Sequence, residues 1–161
     1  ALELAKENHS SINHLLLISP AGLTNKQTKV PWPFNELGVC LLRQPFIRKS
    51  LCRQAFAKPE ESVGPAEEQI ASIHLNVDGW HRSLSTFARN GGVAIFGKTI
   101  PSHSIEVIWG ANDRIINKEN RVNSMNILKK ELKEIDECGH LPHLDKPNLI
   151  ADIWLSRKKN E

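Results

Sequence analysis

Long apolar runs are missing from this 161-residue chain; runs such as Leu15 to Ile18 and Gly38 to Leu42 are far too short to span a bilayer. Strong charge is missing too, and a formal net charge of +3 makes no case for a nucleic-acid partner. There are only three cysteines, Cys40, Cys52 and Cys138, with no Cys-x-x-Cys pair. That odd count fits reduced thiols in a cytosol-like, cytoplasmic compartment better than a disulfide framework. No internal repeat or low-complexity tract occurs. No basic-plus-apolar leader is visible at the N-terminus, although a truncated start would hide one. Also absent is any Gly-x-Ser-x-Gly, the strained strand-to-helix turn that exposes a nucleophilic serine. What remains is ordinary globular material, 40% hydrophobic and 24% charged, enough for one core.

The chemistry that is present lies in the last third. Ile108-Trp109-Gly110 ends an apolar strand and runs into a turn bearing Asp113. Further on, Cys138-Gly139-His140 forms a second turn after a weaker, partly polar strand over Leu132–Asp136. Between the two, residues 118–130 suit a helix, so the unit reads strand, helix, strand. A crossover of that length joins parallel strands, and it is almost always right-handed. Both turns then leave the carboxyl edge of the sheet, where open α/β sheets keep their ligand sites. A carboxylate and an imidazole meeting there supply the acid and base of a nucleophilic triad.

These segments carry a specific resemblance. Ile108-x-Trp-Gly-x-x-Asp113-Arg-Ile followed by Cys138-Gly-His140-x-Pro-His-x-Asp-Lys-Pro resembles the C-terminal half of an α/β-hydrolase. That family's triad runs in the order nucleophile, acid, histidine. The resemblance implies that Asp113 is the acid and His140 the histidine, and that no cofactor is needed.

The resemblance also implies where the chain starts relative to the family's elbow. Residues 1–7 read as a helix in progress, rich in good helix formers and lacking an N-cap. His9-Ser10-Ser11 ends it, and His14–Ile18 suits a buried parallel strand closed by the turn residues Ser19 to Leu23. In the family this helix and strand follow the nucleophile directly. The expectation is a fragment that begins just past the elbow, with nucleophile and oxyanion hole on preceding sequence; a naturally short protein is the alternative.

The middle of the chain breaks the strand–helix rhythm. Residues 24–34, with Pro31 and Pro33 around Trp32, read as an extended loop. Pro45 suits the first position of a helix reaching to about Ala57, because its missing N–H costs nothing there. Lys58-Pro59 stops that helix, Glu60–Pro65 reads as a loop, and helices follow over 67–76 and 79–90. By resemblance, residues 24–92 are a helical cap that includes one helix returning to the core, while 1–23 and 93–161 form the core. Arg43, Arg48, Lys49 and Arg53 lie among apolar residues, with no acid from Leu37 to Ala57. They make either a basic face for a membrane or anionic substrate, or simply the solvated side of a cap helix.

Each site residue also has a plain structural reading. An Asp after a strand is often only a turn former or an N-cap, and a loop His is usually unremarkable. Pairing at family spacing favours catalysis: His140 as proton shuttle, Asp113 as its orienter, Gly139 permitting the tight turn. His143 makes a His-x-x-His with His140, but zinc needs three or four ligands and no further ligand sits at regular spacing. His143 and Asp145 therefore shape the loop. Lys146-Pro147 opens a final helix with Leu149, Ile150, Ile153 and Trp154 on one face, and Arg157-Lys158-Lys159 suits its C-terminal dipole. Ser19 and Ser102 lack the glycine-flanked elbow and are not nucleophiles.

The fold expected is α/β: the last three parallel core strands of an α/β-hydrolase, flanking helices and a helical cap. The activity implied is hydrolysis of a small-molecule, ester-like substrate by a Ser-His-Asp triad whose serine lies upstream, so the chain alone should be inactive. Carbon–carbon bond hydrolysis by the same triad, haloalkane or epoxide hydrolysis with an Asp nucleophile, and a non-catalytic ligand-binding remnant are the alternatives.

Overall fold

The computed structural model describes residues 1–7, 9–23, 29–92 and 100–156. Three parallel strands form its sheet in the spatial order β1 (His14–Ile18), β2 (Ser104–Gly110), β3 (Glu134–Ile135). β1 runs alongside β2 with His14 opposite Ser104 and Ile18 opposite Ile108. Four consecutive residues, Val107 to Gly110, are buried in β2, as a strand covered on both faces requires. Ile105, Val107 and Trp109 join Leu2, Leu17, Leu23, Met125 and Leu128 in the core. A fully buried aliphatic side chain of this kind contributes about 1.5–3 kcal/mol.

β3 is shorter than the 132–136 stretch predicted. Only Glu134 and Ile135 pair as strand, opposite Trp109 and Gly110. The polar flanks leave just two further ladder bonds, from Trp109 N to Lys133 O at 3.1 Å and from Ala111 N to Ile135 O at 2.9 Å. The crossover from β2 to β3 is α7 (Lys118–Leu128), capped where Asn117 Oδ1 accepts the Asn120 N–H at 2.8 Å. Its buried face is Arg121, Ser124, Met125 and Leu128, the i, i+3, i+4, i+7 spacing of an amphipathic helix. Ser124 Oγ donates to Leu23 O at 3.1 Å, tying this helix to the segment that follows β1.

The first helix is α1 (Leu2–Glu7). Between β1 and β2 lie α2 (Phe34–Leu42), α3 (Pro45–Gln54), α4 (Pro59–Ser62), α5 (Pro65–Ile70), a 3-10 turn at Ile73–Asn76, and α6 (Trp80–Arg89). Several boundaries differ from the sequence reading. α2 is new: mid-helix Gly38 argues locally against it, although Pro33 just before it suits a helix start, and its inner side chains are held by packing. Val39 is buried, and Asn35 Nδ2 donates to Ser85 O of α6 at 3.2 Å. The helix predicted to Ala57 stops at Gln54, because the chain bends there to meet the histidine loop. Residues 60–65 are not all loop, since Pro59 and Pro65 each begin a short helix. The single helix expected over 67–76 is broken at Ala71–Ser72.

The cations of α3 are largely consumed inside this segment. Arg48 donates to Leu42 O, Arg43 O and Ser72 Oγ, closing the carbonyl end of α2. Lys49 pairs with Glu68 at 2.7 Å, and Arg53 pairs with Glu60. The acids missing from residues 37–57 arrive from α4 and α5, so Lys49 and Arg53 are paired while Arg48 serves the end of α2. Among the described residues no helix is long and apolar enough to cross a membrane.

The chain ends in α8 (Pro142–Asp145), which had no sequence signal beyond Pro142, and α9 (Pro147–Ser156). Of the expected apolar face of α9 only Ile150 is buried, while Leu149 and Trp154 stay 42% and 44% exposed. α8 is too short to cover a ten-residue helix beside it. The basic tail Arg157-Lys158-Lys159 lies outside the described residues, as does part of the expected 24–34 loop.

Candidate active site

Two turns converge at the carboxyl end of β2. The first leaves Gly110, where Asp113 N–H donates back to Gly110 O at 3.2 Å. Asp113 Oδ1 accepts the N–H groups of Ile115 and Ile116 at 2.8 and 2.9 Å. The plain reading of this aspartate as a turn former is therefore correct for one of its oxygens. Its other oxygen does something else. Asp113 Oδ2 lies 2.9 Å from His140 Nδ1, and the aspartate side chain is fully buried.

A carboxylate can only accept, so the proton in that bond sits on Nδ1 and the imidazole presents Nε2 as a base. Nε2 has no hydrogen-bond partner among the described residues, and the His140 side chain is 20% exposed. The pair is thus buried on the acid side and open on the base side.

Backbone contacts hold the two turns against each other. Asn112 N–H donates to Cys138 O at 2.9 Å, and His140 N–H donates to Ala55 O at 2.8 Å. Gly139 is required by close approach, not by a left-handed backbone: a β-carbon on it would lie 2.5 Å from Ala55 O. Glu137 takes the left-handed conformation there, with φ of 50°.

Two supporting features had no role in the sequence reading of the site. Arg121, nearly fully buried, donates from Nη1 to Asp113 O at 3.3 Å and to Ile116 O at 2.6 Å. Its Nε and Nη2 both reach Glu134 Oε1, at 3.0 and 2.7 Å. The available signal was its spacing in α7, one helical turn before Met125 and two before Leu128. The second is the Ala55–Ala57 bend after α3, which nothing local in its sequence marks. Asp145 reaches that bend, and it was expected to shape the loop. Its Oδ2 accepts the Gly139 N–H at 2.6 Å and the Ala57 N–H at 3.1 Å.

The remaining candidates lie apart from the pair. His143 is exposed on α8. Among the described residues no group of three or more His, Cys, Asp or Glu side chains is placed to hold a metal. Ser19 sits at the same sheet edge with φ of 42°, but its hydroxyl is buried and has no partner among the described residues. Ser102 precedes β2, at the opposite end of the strand from Asp113. Cys138 is buried, and burial first, then the charges of Asp145 and Asp113, push its thiol up to about 11. Arg114, next to Asp113, lines a cleft of about 410 Å³ with Phe46, Lys49 and Arg53 of α3.

No family model matches the chain. An α/β hydrolase domain-containing protein of Arabidopsis thaliana, VTE7, is 24% identical over 159 residues, covering 95% of this chain and 48% of its own length. Among solved structures, the 2-hydroxy-6-oxo-6-phenylhexa-2,4-dienoate hydrolase of Rhodococcus sp. strain RHA1 superposes with a TM-score of 0.71 at 19% identity, over 98% of this chain and 59% of that one. The meta-cleavage product hydrolase of Pseudomonas fluorescens IP01 gives 0.71 at 13% identity, over 99% and 60%. A membrane phospholipase A described as a bacterial virulence factor gives 0.70 at 18%, over 99% and 53%. The fold is the C-terminal portion of an α/β-hydrolase. This chain spans about half the length of the curated relative it matches. In an α/β-hydrolase, acid and histidine follow the nucleophile in chain order. Asp113 and His140 come in that order here, after β2 and β3.

Proposed function

We propose that this chain is the acid-and-histidine half of an α/β-fold hydrolase that cleaves a small ester-like acyl substrate. The observation that carries the reading is the 2.9 Å contact between His140 Nδ1 and the buried Asp113 Oδ2. In this reading a serine on sequence outside these residues attacks the carbonyl carbon. His140 Nε2 takes the serine proton and returns it to the departing alcohol. Asp113 keeps the other nitrogen protonated and stabilises the imidazolium. Backbone N–H groups near the nucleophile hold the oxyanion, each contributing about 2.7–4 kcal/mol to the barrier reduction. Water then repeats the cycle on the acyl-enzyme. No cofactor enters these steps.

Residues 24–92 are assigned to the cap region over this site, including one helix that returns to the core, with 1–23 and 93–161 as core. Three free thiols are in keeping with a cytoplasmic setting. Carbon–carbon bond hydrolysis with the same pair is the second reading, favoured by the likeness to a dienoate hydrolase and a meta-cleavage product hydrolase.

A 4-nitrophenyl ester assay on the protein with its upstream sequence restored tests both. Turnover of the ester that disappears in His140→Ala supports acyl hydrolysis. Turnover of a vinylogous diketone acid but of no ester supports the second reading. Undiminished ester turnover in His140→Ala removes this residue from the mechanism. The 161-residue chain alone is expected to give no turnover.

A further inference from the structure

We infer that Asp145 is a positioning residue that fixes His140 by fastening the histidine turn to the bend after α3. The inference rests on the reading of His140 as the base. One carboxylate oxygen, Asp145 Oδ2, takes two backbone N–H groups from segments far apart in sequence: Gly139 at 2.6 Å and Ala57 at 3.1 Å. Gly139 directly precedes the histidine. The same two segments are joined again by His140 N–H to Ala55 O at 2.8 Å. They approach so closely at Gly139 that a β-carbon would lie 2.5 Å from Ala55 O and 2.7 Å from the Phe56 carbonyl carbon.

Histidine on a free loop would sample rotations that break its bond to Asp113. Here three backbone contacts, two through one charged acceptor, set the Cα position and direction of residue 140. Bonds to a charged acceptor are roughly twice as strong as neutral ones. The Ala55–Ala57 bend belongs to the helical segment between β1 and β2. Asp145 thus makes the alignment of His140 depend on that segment being seated, although Asp145 itself touches neither the imidazole nor Asp113.

The test compares Asp145→Ala with Asp145→Asn, whose amide oxygen can still accept both N–H groups. In this chain, the low-field Nδ1 proton resonance of His140, assigned by its absence from His140→Ala, is expected to vanish in Asp145→Ala and to persist in Asp145→Asn. Amide exchange at Gly139 and His140 should quicken at least tenfold in Asp145→Ala, while the β2 amides keep their protection. In the full protein, kcat on an active ester should fall at least tenfold with KM within threefold, and Asp145→Asn should restore it. Were Asp145→Ala not to fold, Asp145→Glu, which displaces the carboxylate by one methylene, should show the same selective loss. A resonance and amide protection unchanged from wild type would overturn the inference. So would exchange raised equally in β2, which marks general destabilisation. A selective NMR effect in a protein that hydrolyses no ester would overturn the proposed reaction and leave the positioning role standing.

Discussion

Gly110 and Gly139 face each other so closely that a β-carbon on Gly110 would lie 2.0 Å from the carbonyl oxygen of Gly139. The Cys138 carbonyl oxygen would be only 2.2 Å away. The end of β2 and the histidine turn are therefore in backbone contact, and this contact brings Asp113 and His140 within hydrogen-bond range. Neither glycine has a positive φ, so the constraint is space.

Gly110→Ala must accordingly push the two turns apart, because backbone atoms cannot yield as a flexible side chain would. Overpacking of this kind costs about 1–3 kcal/mol, occasionally more. Urea unfolding of this chain should show an unfolding free energy lower by that amount, together with loss of the His140 Nδ1 proton signal. Wild-type stability in Gly110→Ala would mean that the turns are less tightly opposed than described.

Asp113→Asn separates the two jobs of this side chain. Its amide oxygen can still accept from Ile115 and Ile116, so the turn should survive. The amide NH₂ then faces His140 Nδ1 and favours the tautomer with its proton on Nε2, the wrong nitrogen for a base. In the full enzyme kcat should fall by about 10⁴, the order seen when a triad aspartate is so replaced. Far-UV circular dichroism should be unchanged. A kcat within tenfold of wild type would show that Asp113 serves the turn alone.

How far the sequence foretold this depends on the kind of signal. β1 and β2 were legible because their apolar runs and lengths agree with their burial, and α7 because a stretch of its length between two strands suits a crossover helix. The Asp113–His140 pair was legible because turn residues mark both ends and the crossover between them dictates a shared edge. α2 was not, since Gly38 weakens its local signal and packing against α6 sustains it. β3 was overlong in the reading because polar Lys133 and Glu134 leave little alternation to fix its ends. Arg121 and the Ala55–Ala57 bend were hidden for a different reason: their roles are backbone hydrogen bonds across distant segments, which leave no periodicity or motif.

Arg121 anchors the acid turn from behind. It is 3% exposed, and its guanidinium satisfies Glu134 together with the carbonyls of Asp113 and Ile116. Arg121→Met removes the cation and leaves Glu134 without its partner and two carbonyls without a donor. Glu134 is exposed and can turn to water, so the cost comes mainly from the carbonyls left without a donor, about 1–3 kcal/mol. Arg121→Lys should recover only part, because an ammonium cannot span three acceptors in the guanidinium's planar fork. Denaturant midpoints for the two variants measure this directly. A loss below about 1 kcal/mol in Arg121→Met would show that the Asp113 and Ile116 carbonyls do not depend on this donor.

Cys138 gives a pH signature of the same junction. Its thiol is raised from an ordinary 9.0 to about 11, by burial first and by the Asp145 and Asp113 charges after it. Between those values the unfolded chain has lost this proton while the folded chain keeps it, so stability falls as pH rises from 9 towards 11. Below pH 9 both states hold the proton and the effect is absent. The Lys58 ammonium, held above its ordinary value by its bond to Glu137, is common to the wild type and the cysteine variant. The difference between wild type and Cys138→Ala isolates the thiol, and the wild type should show the steeper decline. Iodoacetamide at pH 8.5 should label exposed Cys40 first and leave Cys138 unmodified until the chain unfolds. Rapid labelling of Cys138 in folded protein would mean that the junction between the two turns opens on its own, and the pairing of Asp113 with His140 would open with it.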